Sequence, residues 1–128
     1  MLKEYQHSKI TEKIIAASME VHRRLRNGFQ EVIYQRALAM EMELCGLHFY
    51  REQEMPIYYR DKKIGSRRVD FFVERKVMVE LKALVALEKV HFAQAINYLE
   101  TYKINVGLLI NFGGSSLEFK RLVKSNPC

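Results

Sequence analysis

Three charged side chains interrupt an apolar stretch between residues 69 and 83, VDFFVERKVMVELKA. Asp70, Glu80 and Lys82 lie among Val, Phe, Met and Leu, where a charge is costly unless it is paired or bound to a metal ion. Two adjacent carboxylates repel each other unless a cation lies between them. Mg²⁺ binds carboxylate oxygens and keeps water and substrate phosphate oxygens as its other ligands. A nearby lysine can orient an attacking water or stabilise negative charge, so these residue types indicate metal-assisted chemistry at phosphate.

The alternation of side chains along two strands brings these charges together. If residues 74–76 form a three-residue hairpin loop, Val73 lies opposite Val77 and Asp70 opposite Glu80, and cross-strand partners share a face of the sheet. One face is then wholly apolar and carries Val69, Phe71, Val73, Val77, Val79, Leu81 and Ala83. The other face carries Arg68, Asp70, Phe72, Met78, Glu80 and Lys82. A two-residue loop would instead place Asp70 on the apolar face.

The same hairpin has a purely structural alternative. A buried network of Asp70, Glu80 and Lys82 could specify strand pairing without binding any ligand. The loop also lacks the Gly that common hairpin turns use, which weakens the argument for this register. The hairpin by itself therefore leaves both a metal site and an ion-pair network open.

The composition is that of a globular chain with its own core. Hydrophobic residues make up 48% and charged residues 28% of the 128 residues, and this length is typical of one domain, residues 1–128. The sequence contains neither a bilayer-spanning apolar run nor an N-terminal secretory segment. With only Cys45 and Cys128, a disulfide framework is not supported. We therefore expect a cytoplasmic protein that does not bind a membrane. The net charge of +6 favours a polyanionic partner such as nucleic acid, although it would also suit a solubilising surface.

Hydrophobic periodicity predicts the elements that carry these residues. Apolar residues at helical spacing predict helices over about 9–26, 30–45 and 88–103. Alternating or continuous apolar runs predict three strands between the second and third helices, and two strands after the third. The predicted order α-α-β-β-β-α-β-β gives an α/β fold in which a central mixed β-sheet is flanked by helices.

The spacing of Asp70 and Glu80-x-Lys82 across a strand pair resembles the PD-(D/E)XK nuclease superfamily. In that superfamily a restriction-endonuclease-like core displays these residues for metal-dependent phosphodiester cleavage. Val69 stands where the nominal motif has Pro, which is a common departure. The resemblance extends over about residues 8–124.

Two further motifs support the resemblance. The segment GFQEVIY, from Gly28 to Tyr34, is similar to the Gly-x-x-Glu-x-x-Tyr motif of the small bacterial GxxExxY proteins. The segment QAINY places Gln94 one helical turn before Tyr98, as in the RecB-like branch of these nucleases. Taken alone, Glu31 could be a solvated residue of a first helical turn, and Gln94 with Tyr98 could form a polar outer stripe.

The resemblance implies a site and a function. Mg²⁺ or Mn²⁺ would be bound by Glu31, Asp70, Glu80 and the backbone carbonyl of Leu81. The catalytic residues would be Asp70, Glu80, Lys82, Gln94 and Tyr98, with Lys82 assisting the attacking water. Candidates for substrate binding are Tyr34, Arg68 and His91. The expected function is a metal-dependent nuclease acting on DNA.

Two other classes of function stay open. The chain could be a non-catalytic nucleic-acid-binding or assembly module that keeps the nuclease fold, or an ion-pair-stabilised domain with another partner. The intact set of buried charges argues for catalysis, because a retired site has no need to keep them. At 128 residues we expect no appended DNA-reading domain, so recognition of a specific sequence would require a homodimer or a protein partner.

Overall fold

The computed structural model describes residues 6–124. Cys128, on which the prediction about disulfides rests, and residues 1–5, on which the prediction about a secretory segment rests in part, lie outside the described residues. Within that range three helices and five strands follow in the predicted order. Their bounds are α1 Ser8–Leu25, α2 Glu31–Leu44, β1 Phe49–Tyr59, β2 Lys62–Val73, β3 Val77–Lys82, α3 Lys89–Tyr102, β4 Val106–Asn111 and β5 Glu118–Val123. None of the helices found there is both long and apolar enough to cross a membrane.

The strands form one mixed sheet in the order β1-β2-β3-β4-β5. Neighbouring strands are antiparallel except β3 and β4, which are parallel and are joined through α3. A parallel pair requires such a long crossover, and a helix commonly supplies it. Helices α1 and α2 cover one face of the sheet and α3 covers the other, which confirms the predicted α/β fold.

The central strands β3 and β4 are buried on both faces. Val79 and Leu81 pack with α1 and α2, whereas Met78 and Leu109 pack with α3. Burial on both sides explains why these strands are nearly continuous apolar runs in the sequence. Glu80 is therefore exceptional, because it lies in β3 with only 4% of its surface exposed.

The β2–β3 hairpin has the register expected from the three-residue loop. Val73 lies opposite Val77, and the ladder continues to Phe71 opposite Val79. Glu74 and Arg75 adopt left-handed conformations with φ of 53° and 55°, where Gly is the usual choice. Contacts with the start of β1 hold this turn without Gly: the Glu74 N–H donates to the His48 carbonyl at 2.8 Å, and the Glu74 carboxylate accepts from the His48 N–H at 2.7 Å.

The predicted alternation along β2 fails at Asp70. Val69 packs in the α3-side core, whereas Phe71 packs in the core beneath α1 and α2. The β1–β2 ladder pairs Gln53 with Val69 and Arg51 with Phe71, but between them Glu52 has a left-handed φ of 54°. The prediction that Val69 shares the face of Phe71 is therefore wrong, because the alternation of side chains along β2 breaks at Asp70, across from this irregular residue of β1.

Candidate active site

Asp70 lies at the point where β2 leaves its ladder with β3. Its Oδ1 accepts a hydrogen bond from Nε2 of Gln35 in α2 at 2.8 Å, and its Oδ2 accepts from the Leu81 N–H at 2.8 Å. Burial raises the pKa of Asp70, and these two hydrogen bonds act in the opposite direction. The carboxylate is thus held in one orientation by neutral donors from an adjacent strand and a helix.

Glu80 lies on the α3 side of β3 and is almost completely buried. Its Oε2 lies 3.1 Å from Nη2 of Arg67, while its Oε1 has no hydrogen-bond partner among the described residues. Burial, and then the negative charge of Asp70, raise the pKa of Glu80 to about 7, although Arg67 opposes this shift. A buried carboxylate with a strongly raised pKa and an unpaired oxygen is typical of a functional site.

Arg67, and not the predicted Arg68, contacts the site. The Arg67 guanidinium lies over the Tyr98 ring of α3, with its carbon 4.0 Å from the ring centroid, while Arg68 is exposed. The break in alternation at Asp70 explains the difference, because it brings Arg67 to the α3 side of the sheet. No residue type marks this break, since Glu52 occupies a left-handed position without being Gly.

Glu31, at the start of α2, and Lys82, two residues after Glu80 on β3, interact with the same charges. Glu31 begins α2, and its pKa is raised by burial and by the negative charge of Asp70, while Lys82 and Arg67 lower it. Lys82 ends β3, is half-buried, and lowers the pKa of all three carboxylates. The structure thus brings Glu31, Asp70, Glu80 and Lys82 into one electrostatic cluster. Across residues 6–124, however, no three acidic, His or Cys side chains are close enough together to hold a metal ion.

The predicted residues of α3 have different positions. Tyr98 joins the site beneath Arg67, and Gln94 is exposed one turn earlier. His91 lies in the first turn, where its Nδ1 accepts from the Glu88 N–H at 2.9 Å. This bond gives His91 a structural role, because it satisfies a backbone donor at the helix start.

The structure does not bring Tyr34 to the site surface. Tyr34 is fully buried at 0% exposure, and its ring stacks on Phe112 with centroids 4.8 Å apart. Its hydroxyl donates to the Arg26 carbonyl at 2.6 Å and accepts from the Phe29 N–H at 3.2 Å. Tyr34 therefore fixes the loop that leads into Glu31, and its predicted contact with substrate is not compatible with this burial.

Two positioning residues were missed from the sequence. Gln35 follows Glu31 by four residues, so the helical spacing that places both on one face could have identified it. Asn111 ends the buried strand β4, and a polar residue in that position was a usable signal. Its Oδ1 accepts from the Leu84 N–H at 2.8 Å, and its Nδ2 donates to the Leu84 carbonyl at 2.9 Å and to Glu118 at 2.8 Å.

Asn111 fixes the connection that follows Lys82, and Gly113 permits it to pack closely. A Cβ at Gly113 would lie 2.2 Å from the Leu84 carbonyl oxygen, so a larger residue would displace this segment. The Phe112 N–H also donates to the Lys82 carbonyl at 2.9 Å. The end of β4 thus holds the end of β3, where Lys82 projects.

Comparison with known proteins agrees with this architecture. The family model of the PD-(D/E)XK nuclease superfamily matches residues 8–122. The chain belongs to this superfamily. The crystal structure of SSO0001 is similar to this member of the superfamily with a TM-score of 0.59 and 14% sequence identity, over 96% of this chain and 81% of that chain. At this identity the likeness shows the fold alone. Among the curated proteins, none matches the chain.

Proposed function

We propose that this superfamily member is a divalent-metal-dependent nuclease that hydrolyses phosphodiester bonds in DNA. The observation that carries the proposal is the pair Asp70 and Glu80, with Lys82 beside it. Glu80 is buried, keeps an oxygen without a hydrogen-bond partner among residues 6–124, and has a pKa raised to about 7. Burying the charged Glu80 carboxylate costs free energy, and a cation bound to its free oxygen would neutralise the charge and explain why it is buried.

The donor atoms of the cluster suit a hard divalent cation, although the three carboxylates must move closer together to hold one. Members of the superfamily are typically metal-dependent, and the available donors are all oxygens, as Mg²⁺ and Mn²⁺ prefer. Asp70, Glu80, Glu31 and the Leu81 carbonyl would hold the ion. A bound ion would act as a Lewis acid on the phosphate and lower the pKa of a bound water. Glu80 can serve as a ligand through Oε1, which has no hydrogen-bond partner among residues 6–124, while the positive charge of Arg67 at Oε2 competes with the ion.

The chain's own side chains have separate roles in this proposal. The Lys82 ammonium orients the attacking water and stabilises charge that grows on the phosphate in the transition state. Gln35 keeps the Asp70 carboxylate in its orientation through the 2.8 Å bond. Tyr98 positions Arg67 beside Glu80, and Gln94, exposed on the same helix, contacts the substrate strand.

We also assign the chain to the GxxExxY group within the superfamily, with a RecB-like Gln94 and Tyr98. The support comes from the different roles of Glu31 and Tyr34 within the Gly-x-x-Glu-x-x-Tyr motif. Glu31 interacts with Asp70 and Lys82, whereas Tyr34 anchors the preceding loop through Arg26. Glu31 thus supplies the acidic side chain, and Tyr34 holds the loop that leads into it.

A non-catalytic nucleic-acid-binding module is the second candidate. The 3.1 Å contact of Glu80 with Arg67 favours it, as does the lack of a ready three-carboxylate cluster in residues 6–124. In that function Arg67 would replace the metal permanently, and the charges would serve only to stabilise the fold. DNA as substrate, a cytoplasmic location and a single domain over residues 1–128 stay predictions under either candidate.

A cleavage assay separates the two candidates. Wild-type protein is incubated with single-stranded and duplex DNA in Mg²⁺, in Mn²⁺ and in EDTA, beside Asp70→Asn and a Lys120→Ala control from the far edge of the sheet. The nuclease function predicts metal-dependent cleavage that Asp70→Asn abolishes and Lys120→Ala preserves. DNA binding without cleavage in any metal would establish the binding module instead.

A further inference from the structure

The β1–β2 hairpin extends well past the active site and ends in an exposed tip, residues 58–64, which we name the hairpin tip. Arg60 and Asp61 form its turn with left-handed φ of 46° and 66°. The ladder of β2 with β3 covers Phe71 to Val73, whereas β2 itself begins at Lys62. At ~3.3 Å per residue, Lys62 lies about 16 Å along the strand from Arg67, which contacts Glu80. The tip is thus joined to the active site by one continuous strand.

The hairpin tip exposes large apolar and aromatic side chains that take little part in the core. Tyr58, Tyr59 and Ile64 are 61%, 62% and 66% exposed. Their core contributions are correspondingly small, so their type is not explained by folding. Tyr58 and Tyr59 are successive strand residues, so their rings lie on opposite faces of the ribbon and flank the tip. Exposed aromatic side chains on both faces of one projection indicate a surface around which an extended chain can wrap.

Positive charge accompanies each tyrosine. Tyr58 lies opposite Lys63 and Tyr59 opposite Lys62, so each cross-strand pair combines one aromatic ring with one ammonium group. The Arg60 guanidinium lies 5.9 Å from the centroid of the Tyr59 ring. Asp61 is the acidic residue within the tip, so cations outnumber acids there. Lys63 also lies 3.9 Å from the Glu54 carboxylate of β1, but both side chains are exposed, and such surface pairs are weak enough for a phosphate to replace.

We propose that the hairpin tip binds single-stranded DNA next to the phosphate that the active site cleaves. This inference rests on the proposed nuclease function for its substrate class and adds where the strand is held. Tyrosine rings stack on unpaired bases while lysines contact phosphates, which is how proteins bind single strands without sequence preference. Charge complementarity selects this occupant, because an apolar protein partner would not match lysines placed beside both rings.

This mode of binding favours single-stranded DNA over duplex DNA. Bases in a duplex are already stacked on one another, so the rings of Tyr58 and Tyr59 gain little from paired DNA. Lys62 and Lys63 contact phosphates in either form. The tyrosines therefore provide discrimination in favour of single strands, and the lysines provide affinity that depends on salt.

Binding can be measured without cleavage. Fluorescence anisotropy in EDTA, with labelled oligo-dT and a duplex of equal length, reports affinity for each form. The double variant Tyr58→Ala/Tyr59→Ala should bind oligo-dT about tenfold or more weakly, because base–aromatic stacking contributes roughly 1–3 kcal/mol per base. Its affinity for the duplex should change much less. Tyr58→Phe/Tyr59→Phe keeps both rings and should bind as wild type.

The lysines and a matched control complete the test. Lys62→Ala/Lys63→Ala should weaken binding to both DNA forms and reduce the slope of log affinity against log salt by about 0.7 per lysine for oligo-dT. The control Phe119→Ala/Lys120→Ala removes an exposed aromatic and a neighbouring lysine from β5, at the opposite edge of the sheet, and should bind as wild type. Equal thermal melting of all variants excludes misfolding as the cause.

The outcomes distinguish this inference from the nuclease function. Unchanged oligo-dT affinity in Tyr58→Ala/Tyr59→Ala overturns the tip contact, even if the wild type cleaves DNA. So does an equal loss for oligo-dT and duplex, or an equal loss in the Phe119→Ala/Lys120→Ala control. Conversely, selective loss in the tyrosine variant upholds the contact even where the wild type cleaves nothing with any metal, in which case the nuclease function alone fails.

Discussion

The two sides of the active site hold their buried carboxylates in different ways. On the α2 side, Asp70 accepts bonds from Gln35 and from the Leu81 N–H, both of which are neutral donors. On the α3 side, Glu80 is paired with the cation Arg67, which lies over Tyr98. Neutral donors orient a carboxylate and leave its charge available to a metal ion. A paired cation partly neutralises that charge, so it competes with a metal ion for the carboxylate.

The α2 side of the site is already arranged to bind a metal ion. Asp70 can bind a cation without losing its protein contacts, because each oxygen still has a lone pair after one hydrogen bond. Among the described residues Glu80 also has a free oxygen, Oε1, but the positive charge of Arg67 at Oε2 opposes the approach of a second cation. We therefore expect Asp70 to determine whether metal binds, and the Arg67–Glu80 pair to determine how tightly it binds.

The largest expected effect follows from Asp70→Asn. The amide removes a negative charge from the preorganised side while keeping the shape of the side chain. Mn²⁺ binding should fall strongly in calorimetry, and DNA cleavage should fall to background. Glu43→Gln, an exposed residue of α2, serves as the charge-matched control. Wild-type Mn²⁺ affinity in Asp70→Asn would exclude Asp70 as a ligand.

Lys82→Ala should give the next largest effect. If Lys82 orients water or stabilises transition-state charge, its loss lowers kcat by roughly 10²–10⁴-fold with little change in KM. Mn²⁺ binding should persist or tighten, since a positive charge leaves the neighbourhood of the carboxylates. Cleavage kinetics and calorimetry on the same preparation check both parts. Wild-type turnover in Lys82→Ala would remove Lys82 from the catalytic residues.

These residues also show how far the sequence predicts the molecule. The element order, the mixed sheet and the Val73–Val77 register follow from periodicity, because strands buried on both faces and amphipathic helices leave clear patterns. The electrostatic neighbourhood of Asp70, Glu80 and Lys82 follows from pairing two strands. Arg67 could not be found in this way, because no residue type in β1 or β2 marks the break in alternation at Asp70. Tyr34 needed the tertiary contact with Phe112 to show that it is buried.

Glu80 should also make stability depend on pH. Its pKa rises from the model-compound value of 4.5 to about 7 on folding, so the folded state binds the proton more tightly than the unfolded state. The resulting stability is fully present below about pH 4.5 and is lost as pH rises through about 7. The difference is on the order of 3 kcal/mol, at 1.36 kcal/mol per pKa unit.

Denaturant unfolding across this pH range checks the Glu80 prediction. In metal-free buffer, Glu80→Gln should remove most of the loss of stability between pH 4.5 and about 7. Glu43→Gln should retain the wild-type profile. A wild-type profile in Glu80→Gln would mean that Glu80 ionises without cost, and the contrast between the two sides of the site would then disappear.

Arg67→Met should have a smaller effect and one of opposite sign to Asp70→Asn. The substitution keeps apolar volume but removes the cation that competes for Glu80. Loss of Arg67 raises the Glu80 pKa further, so the two proteins are compared at a pH high enough to ionise Glu80 in both. Mn²⁺ should then bind about tenfold more tightly to the variant, because a hydrogen bond to a charged group contributes roughly 1.5–3 kcal/mol. Arg68→Met is the matched control from the neighbouring exposed position. Weaker Mn²⁺ binding in Arg67→Met would mean that Arg67 supports the metal site and does not compete with it.

The smallest effect concerns Tyr98, and it tests whether its ring or its hydroxyl matters. The ring lies 4.0 Å from the Arg67 guanidinium carbon, a cation–π contact that contributes roughly 0.5–1 kcal/mol at exposed sites and more when desolvated. Tyr98→Phe keeps this contact and should preserve stability, Mn²⁺ affinity and cleavage. Tyr98→Leu loses it, so the Arg67–Glu80 pair should loosen, lowering stability by about 1 kcal/mol while tightening Mn²⁺ binding slightly. If Tyr98→Phe instead reduces cleavage as much as Tyr98→Leu, the hydroxyl contacts the substrate, and the α3 side of the site contributes to catalysis directly and not only through Arg67.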